Sequence, residues 1–157
     1  MIKNPIRLLI AILLCQLVGN AASLLIAPSI TSWYSTISAP HMTPPSWIFP
    51  PLWIVLYTLM GASLYLVWES SGKSKNVESL VQTFSIQLIL NPIWALAFFA
   101  LRLPAWGLVA AAGLWIAIAI TITRFRQVSN RAAWLLAPYI AWITFAFVLN
   151  LYILLFG

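Results

Sequence analysis

The chain reads as an all-α membrane protein, a single bundle of five transmembrane helices with a long Pro/Trp-rich first loop. Two observations carry this reading. Of its 157 residues, 63% are hydrophobic and only 6% are charged, whereas soluble domains hold about 25% charged residues to keep their surface wet. The apolar residues also gather into runs of the roughly 20 residues that a helix needs to cross a bilayer, over 6–27, 47–68, 80–101, 104–123 and 132–156. These runs use most of the chain. Residues 1–157 therefore make one transmembrane domain, with no intervening stretch long enough for a second fold.

The first run follows Lys3 and Arg7, and Gly19-Asn20-Ala21 resembles a signal-peptide cleavage site. Leu24-Leu25-Ile26-Ala27 extends it to spanning length, however, and it is read as a membrane span. Cys15 lies inside it and, as the only cysteine, has no disulfide partner in the chain. Gln16, Asn20 and Ser23 share one face with Gly19 beside them, placed to bond another helix or to reach a cavity.

Between Trp33 and Trp53 the chain carries Pro40, Pro44, Pro45, Pro50 and Pro51 among Trp33, Tyr34, Trp47, Phe49 and Trp53, with no formal charge. Rigid turns and rings of this kind suit a lid. The second run then places Trp53, Tyr57, Gly61, Leu64 and Trp68 on one helical face, and the third does the same with Gln87, Asn91, Trp94 and Phe98. An amide is costly in hydrocarbon unless hydrogen-bonded. Gln87 and Asn91 must therefore face other helices, a ligand or water.

The fourth run is the least polar, and Gly113, Ala117 and Thr121 form a ridge of small residues expected to permit close helix contact. The fifth repeats the aromatic stripe with Leu135, Tyr139, Trp142, Ala146, Leu149 and Ile153, and Pro138 is expected to kink it. Trp68 and Trp106, near span ends, fit interfacial belts. Three stripes that mix rings with a few hydrogen-bonding groups suit a large, flat, apolar ligand.

The net charge of +6 comes from short clusters beside the spans, so it speaks for topology and against nucleic acid. Of the eight Lys and Arg residues, all but Arg102 fall on one side when the loops alternate. Basic residues mark the cytoplasmic side. The expectation is an integral multi-pass protein of a bacterial cell envelope, N-terminus cytoplasmic and first loop outside.

Glu69 and Glu78 are the only acids, both expected in a solvated loop from Glu69 to Ser79, and His41 is the sole histidine. No carboxylate pair, catalytic triad, metal cluster or phosphate loop can be assembled from these residues, and no span interior carries the ionisable group that ion-coupled transporters use. No metal and no required cofactor is expected, and no conventional catalytic residue.

The run Trp33-Tyr34, Pro40, Pro44-Pro45-Ser46-Trp47-Ile48-Phe49-Pro50, Trp53, Leu56-Tyr57, Met60-Gly61-Ala62 and Val67-Trp68 resembles the TspO/MBR family of tryptophan-rich sensory and translocator proteins. Gln87-Leu88, Leu90-Asn91, Trp94 and Phe98-Phe99, then Ala133-Trp134-Leu135, Pro138-Tyr139, Trp142, Phe145-Ala146 and Leu149-Asn150 continue it. The resemblance implies a five-helix bundle, assembled as a homodimer, whose cavity opens toward the first loop and binds porphyrins such as protoporphyrin IX and benzodiazepine-site ligands. Cavity-lining positions of the family match Tyr34, Pro44, Trp47, Trp53, Tyr57, Asn91, Trp94, Trp142, Ala146 and Leu149. Many members carry tryptophan where this chain has Met42, and the family's sterol pattern is absent after Tyr152.

The role implied is a porphyrin binder that senses, carries or helps degrade its ligand, with Trp53 and Trp142 flanking the ring and available for light-driven chemistry. An enzymatic role is left open. Two alternatives stand beside it: a small-metabolite transporter, for which the expected repeats or paired broken helices are missing, and a ligand-sensing regulatory membrane protein.

Overall fold

The computed structural model describes residues 4–37, 43–70 and 77–156. His41, Met42, Lys73 and Lys75, with the expectations attached to them, lie outside the described residues. Five helical stretches are long and apolar enough to cross a membrane: Pro5–Thr36, Ser46–Glu69, Val77–Ala100, Pro104–Arg126 and Asn130–Phe156.

Helix α1 (Pro5–Ser32) starts where Asn4 Oδ1 accepts the Arg7 N–H at 3.1 Å. Pro5 follows at the first helical position, where its missing donor costs nothing. A 3₁₀ turn over Tyr34–Thr36 ends this span, and another over Ser46–Ile48 leads into α2 (Phe49–Glu69). Pro50 and Pro51 thus belong to the first turn of α2, where their fixed φ favours a helix.

Helix α3 (Val77–Ala95) widens at its end into a π-helical turn over Leu96–Ala100. Arg102 then takes φ +55°, and the chain reverses so that the Leu103 N–H reaches Ala97 O at 3.0 Å. Helix α4 (Pro104–Arg126) again opens on proline. The fifth span is two helices, α5 (Asn130–Leu135) and α6 (Ala137–Phe156). Pro138 has no N–H to return to Trp134, so the break at Leu136 is the kink the sequence predicts.

The helices pack in a ring, α1 on α2, α2 on α5, α5 and α6 on α4, α4 on α3, and α3 on α1. One end of the ring is basic. There Arg7 pairs with Glu69 at 3.5 Å and lies over the Trp68 ring, while Arg124 donates to Thr83 Oγ1 at 2.7 Å and Ser79 Oγ at 3.2 Å. Nearby, buried Ser63 donates to the Ala132 carbonyl at 2.7 Å and ties α2 to α5.

Two expectations are corrected. Glu69 and Glu78 are helical, Glu69 closing α2 and Glu78 in the first turn of α3. The first finds Arg7, and the second complements the positive end of its helix. Gly113 makes no close contact, since a Cβ built on it meets nothing within 4 Å, although Ala117 and Thr121 are buried. The close approach belongs to Gly61, where a Cβ would fall 2.5 Å from the Ile12 Cα, so α1 and α2 touch backbone to backbone.

Candidate functional site

Away from the basic end the helices converge on a cluster of rings. Phe49, 2% exposed, lies 5.5 Å from Tyr34, 5.6 Å from Trp53, 5.9 Å from Phe99 and 5.9 Å from Trp142, measured between ring centroids. Trp94 stacks on Phe98 one turn further on, in the π-helical turn that follows α3. Such edge and offset pairs contribute about 0.5–1.5 kcal/mol each beyond their burial. They tie α2, the end of the α3 span and α6 together at this level.

Beneath the rings runs a buried polar chain. The Tyr57 hydroxyl donates to Asn91 Oδ1 at 2.6 Å, and Asn91 Nδ2 donates to the Tyr139 hydroxyl at 2.7 Å. Three helices meet in this chain, α2, α3 and α6. It satisfies the Asn91 amide that the sequence predicts must be bonded, whereas both amide atoms of Gln87, one turn away and fully buried, have no partner among the described residues.

Two spaces adjoin the chain. An inner cleft of about 20 Å³ is lined by Trp53, Tyr57, Asn91, Trp94, Tyr139 and Trp142, closed on the α1 side by Gly19, Ala22, Ser23 and Ile26. It is the size of one water site. An outer groove of about 290 Å³ runs between α1 and α2, with Gln16, Asn20, Ser23 and Thr31 on one wall and Trp47, Pro50, Trp53 and Ile54 on the other. Gln16 crosses it, its amide donating to Ile54 O at 2.8 Å and Thr58 Oγ1 at 2.9 Å. Gly19, Ser23, Trp53 and Tyr57 line both spaces, so the Tyr57 and Trp53 side chains form the partition.

The residues singled out from the sequence divide accordingly. Trp53, Tyr57, Asn91, Trp94 and Trp142 line the cleft, and Trp47, 71% exposed, lines the groove. Tyr34 is buried against Phe49 and Phe99 and reaches the Pro44 carbonyl at 3.5 Å. Neither it nor Pro44 lines either space. Ala146 and Leu149 are buried on the inward face of α6 without reaching the cleft.

Three contributors were noted in the sequence but not counted among the cavity-lining positions. Phe49 touches both Trp53 and Trp142, Tyr139 completes the hydrogen-bond chain, and Gly19 gives Tyr57 room. Tyr139 lies on the stripe read for the fifth span, so its inward face was legible. Its partner was not. The indole N–H groups of Trp94 and Trp142 are buried and, among the described residues, unbonded.

Comparison with known proteins agrees with this architecture. Residues 11–156 match the model of the TspO/MBR family. The chain is 41% identical to a "Tryptophan-rich protein TspO" from Chlorobaculum tepidum, over 97% of this chain and 96% of the relative. It is 40% identical to a protein of the same name from Archaeoglobus fulgidus, over 94% of each. A "Translocator protein" from Ovis aries is 40% identical over 75% of this chain and 70% of its own length. The sequence signature, the bundle of spanning helices and these matches together make the chain a member of the TspO/MBR family.

Proposed function

We propose that this chain binds a flat, largely apolar ligand of the tetrapyrrole class, protoporphyrin IX-like, and senses it, carries it or helps degrade it. Family membership and the names of relatives, among them "Tryptophan-rich sensory protein" and "Translocator protein", support a sensory or translocator role in a membrane. The observation that carries the narrower reading is the pair of buried, unbonded indole donors on cleft-lining Trp94 and Trp142. An unsatisfied buried donor costs about 1–3 kcal/mol, and a ligand acceptor in the cleft would recover it.

Size sets a condition on this function. Ligand pockets run to roughly 300–1,000 Å³, so the cleft of about 20 Å³ is too small and the groove of about 290 Å³ stands at the lower limit. Binding a porphyrin therefore requires the Tyr57 and Trp53 partition to move and join the two, a state that the ligand selects by its differential affinity. The smaller aromatic ligands of the benzodiazepine site need less opening. With the basic end cytoplasmic by the charge rule, the ring cluster faces outward. Assembly as a homodimer comes into this proposal from the family resemblance.

Titration of the purified protein with protoporphyrin IX, followed by tryptophan quenching, tests the site. Affinity should fall at least fivefold in Trp53→Phe and in Trp142→Phe. Unchanged affinity in both variants rejects the assignment. Liposome flux of a labelled porphyrin separates a carrier from a binder that only senses.

A further inference from the structure

A third space, of about 250 Å³, lies at the basic end between α4 and the fifth span, lined by Ile122, Arg126, Asn130, Trp134, Ala137 and Ile140 together with buried Ala133. Its polarity is graded. Arg126 and Asn130 stand at the helix ends, where α4 leaves and α5 begins, and Ile122, Ala137 and Ile140 lie one or more turns deeper along the spans. Trp134, 76% exposed, sits between the two zones, the level that indole rings favour at a membrane surface.

Charge singles out Arg126. Arg124 is turned toward α3, bonded to Ser79 and Thr83, and two positions on, Arg126 lies near the opposite side of α4. Among the described residues Arg126 has no hydrogen bond or ion pair. Neither acid of the chain competes for it, because Glu69 pairs with Arg7 and Glu78 lies in the first turn of α3, beside the Ser79 that Arg124 bonds.

We propose that this cavity binds one anionic phospholipid, its phosphate held by the Arg126 guanidinium and the Asn130 amide and the start of an acyl chain lying over Ala137, Ile122 and Ile140. A guanidinium matches phosphate oxygens two at a time. Basic pockets between membrane helices select anionic headgroups for this reason, and the apolar depth distinguishes a lipid from a free anion. The site is separate from the aromatic cleft and does not depend on what that cleft binds.

The test is native mass spectrometry of the full-length protein in detergent, titrated with dioleoyl phosphatidylglycerol and dioleoyl phosphatidylcholine. Phosphatidylglycerol should bind about fivefold more tightly. Arg126→Gln should remove that preference, Arg131→Gln, an exposed neighbour outside the cavity, should keep it, and Ala137→Phe should weaken both lipids by filling the space for the acyl chain. Glycerol phosphate in millimolar excess should displace neither. Equal losses in Arg126→Gln and Arg131→Gln, no preference in the wild type, or displacement by glycerol phosphate would each overturn the proposal. So would Ala137→Phe binding as the wild type does.

Discussion

The ring of Tyr57 on α2 lies directly against Gly19 on α1, so closely that a Cβ built on Gly19 would fall 2.7 Å from the Tyr57 Cζ and nearer still to Cδ2 and Cε2. No side chain fits between them. Because the same tyrosine donates to Asn91, the glycine fixes one end of the buried polar chain and the partition between cleft and groove.

Gly19→Ala should therefore displace the Tyr57 ring and destabilise the protein by about 1–3 kcal/mol, the usual cost of overpacking. In a Tyr57→Ala background the same change should cost far less. Thermal unfolding of the four proteins of this double-mutant cycle measures the coupling, and additive losses would show that the contact does not act as described.

Asn91 and Gln87 should respond oppositely to loss of their amides. Asn91→Leu removes two hydrogen bonds of about 1–2 kcal/mol each in a membrane interior and strands the Tyr139 and Tyr57 hydroxyls, so Tm should drop clearly. Gln87→Met discards an amide with no partner among the described residues and should be neutral or stabilising. A loss in Gln87→Met as large as in Asn91→Leu would mean that an ordered water bonds Gln87.

Gly61 and Gly113 make a similar pair. Gly61→Ala should separate α1 from α2, because the new methyl meets the Ile12 backbone, which cannot rotate away. Gly113→Ala enters open space and should raise stability by up to about 1 kcal/mol through helix propensity. Thermal stability in one detergent compares the two directly.

Arg102 holds φ +55° at the turn between α3 and α4, a conformation that disfavours L side chains by about 1–2 kcal/mol. Arg102→Gly should be tolerated or slightly stabilising. Arg102→Val should lower Tm, since a β-branched side chain crowds this backbone further. The order of the three melting temperatures is the measurement.

Composition and periodicity alone settle the class of protein, its helices and the inward faces of the three that carry aromatic stripes. Composition forces the chain into a bilayer, and the spacing of Trp53 and Tyr57, of Asn91 and Trp94, and of Tyr139 and Trp142 is a local property of a helix with 3.6 residues per turn. Even the break before α6 follows from a proline lacking its N–H. Tertiary structure decided what those faces meet. That Asn91 finds Tyr57 and Tyr139 while Gln87 finds nothing depends on which helices are neighbours and at what height. That Gly61 rather than Gly113 marks the close approach depends on helix rotation. Contacts between residues far apart in the chain leave no periodic trace along it, so they emerge only when the helices pack.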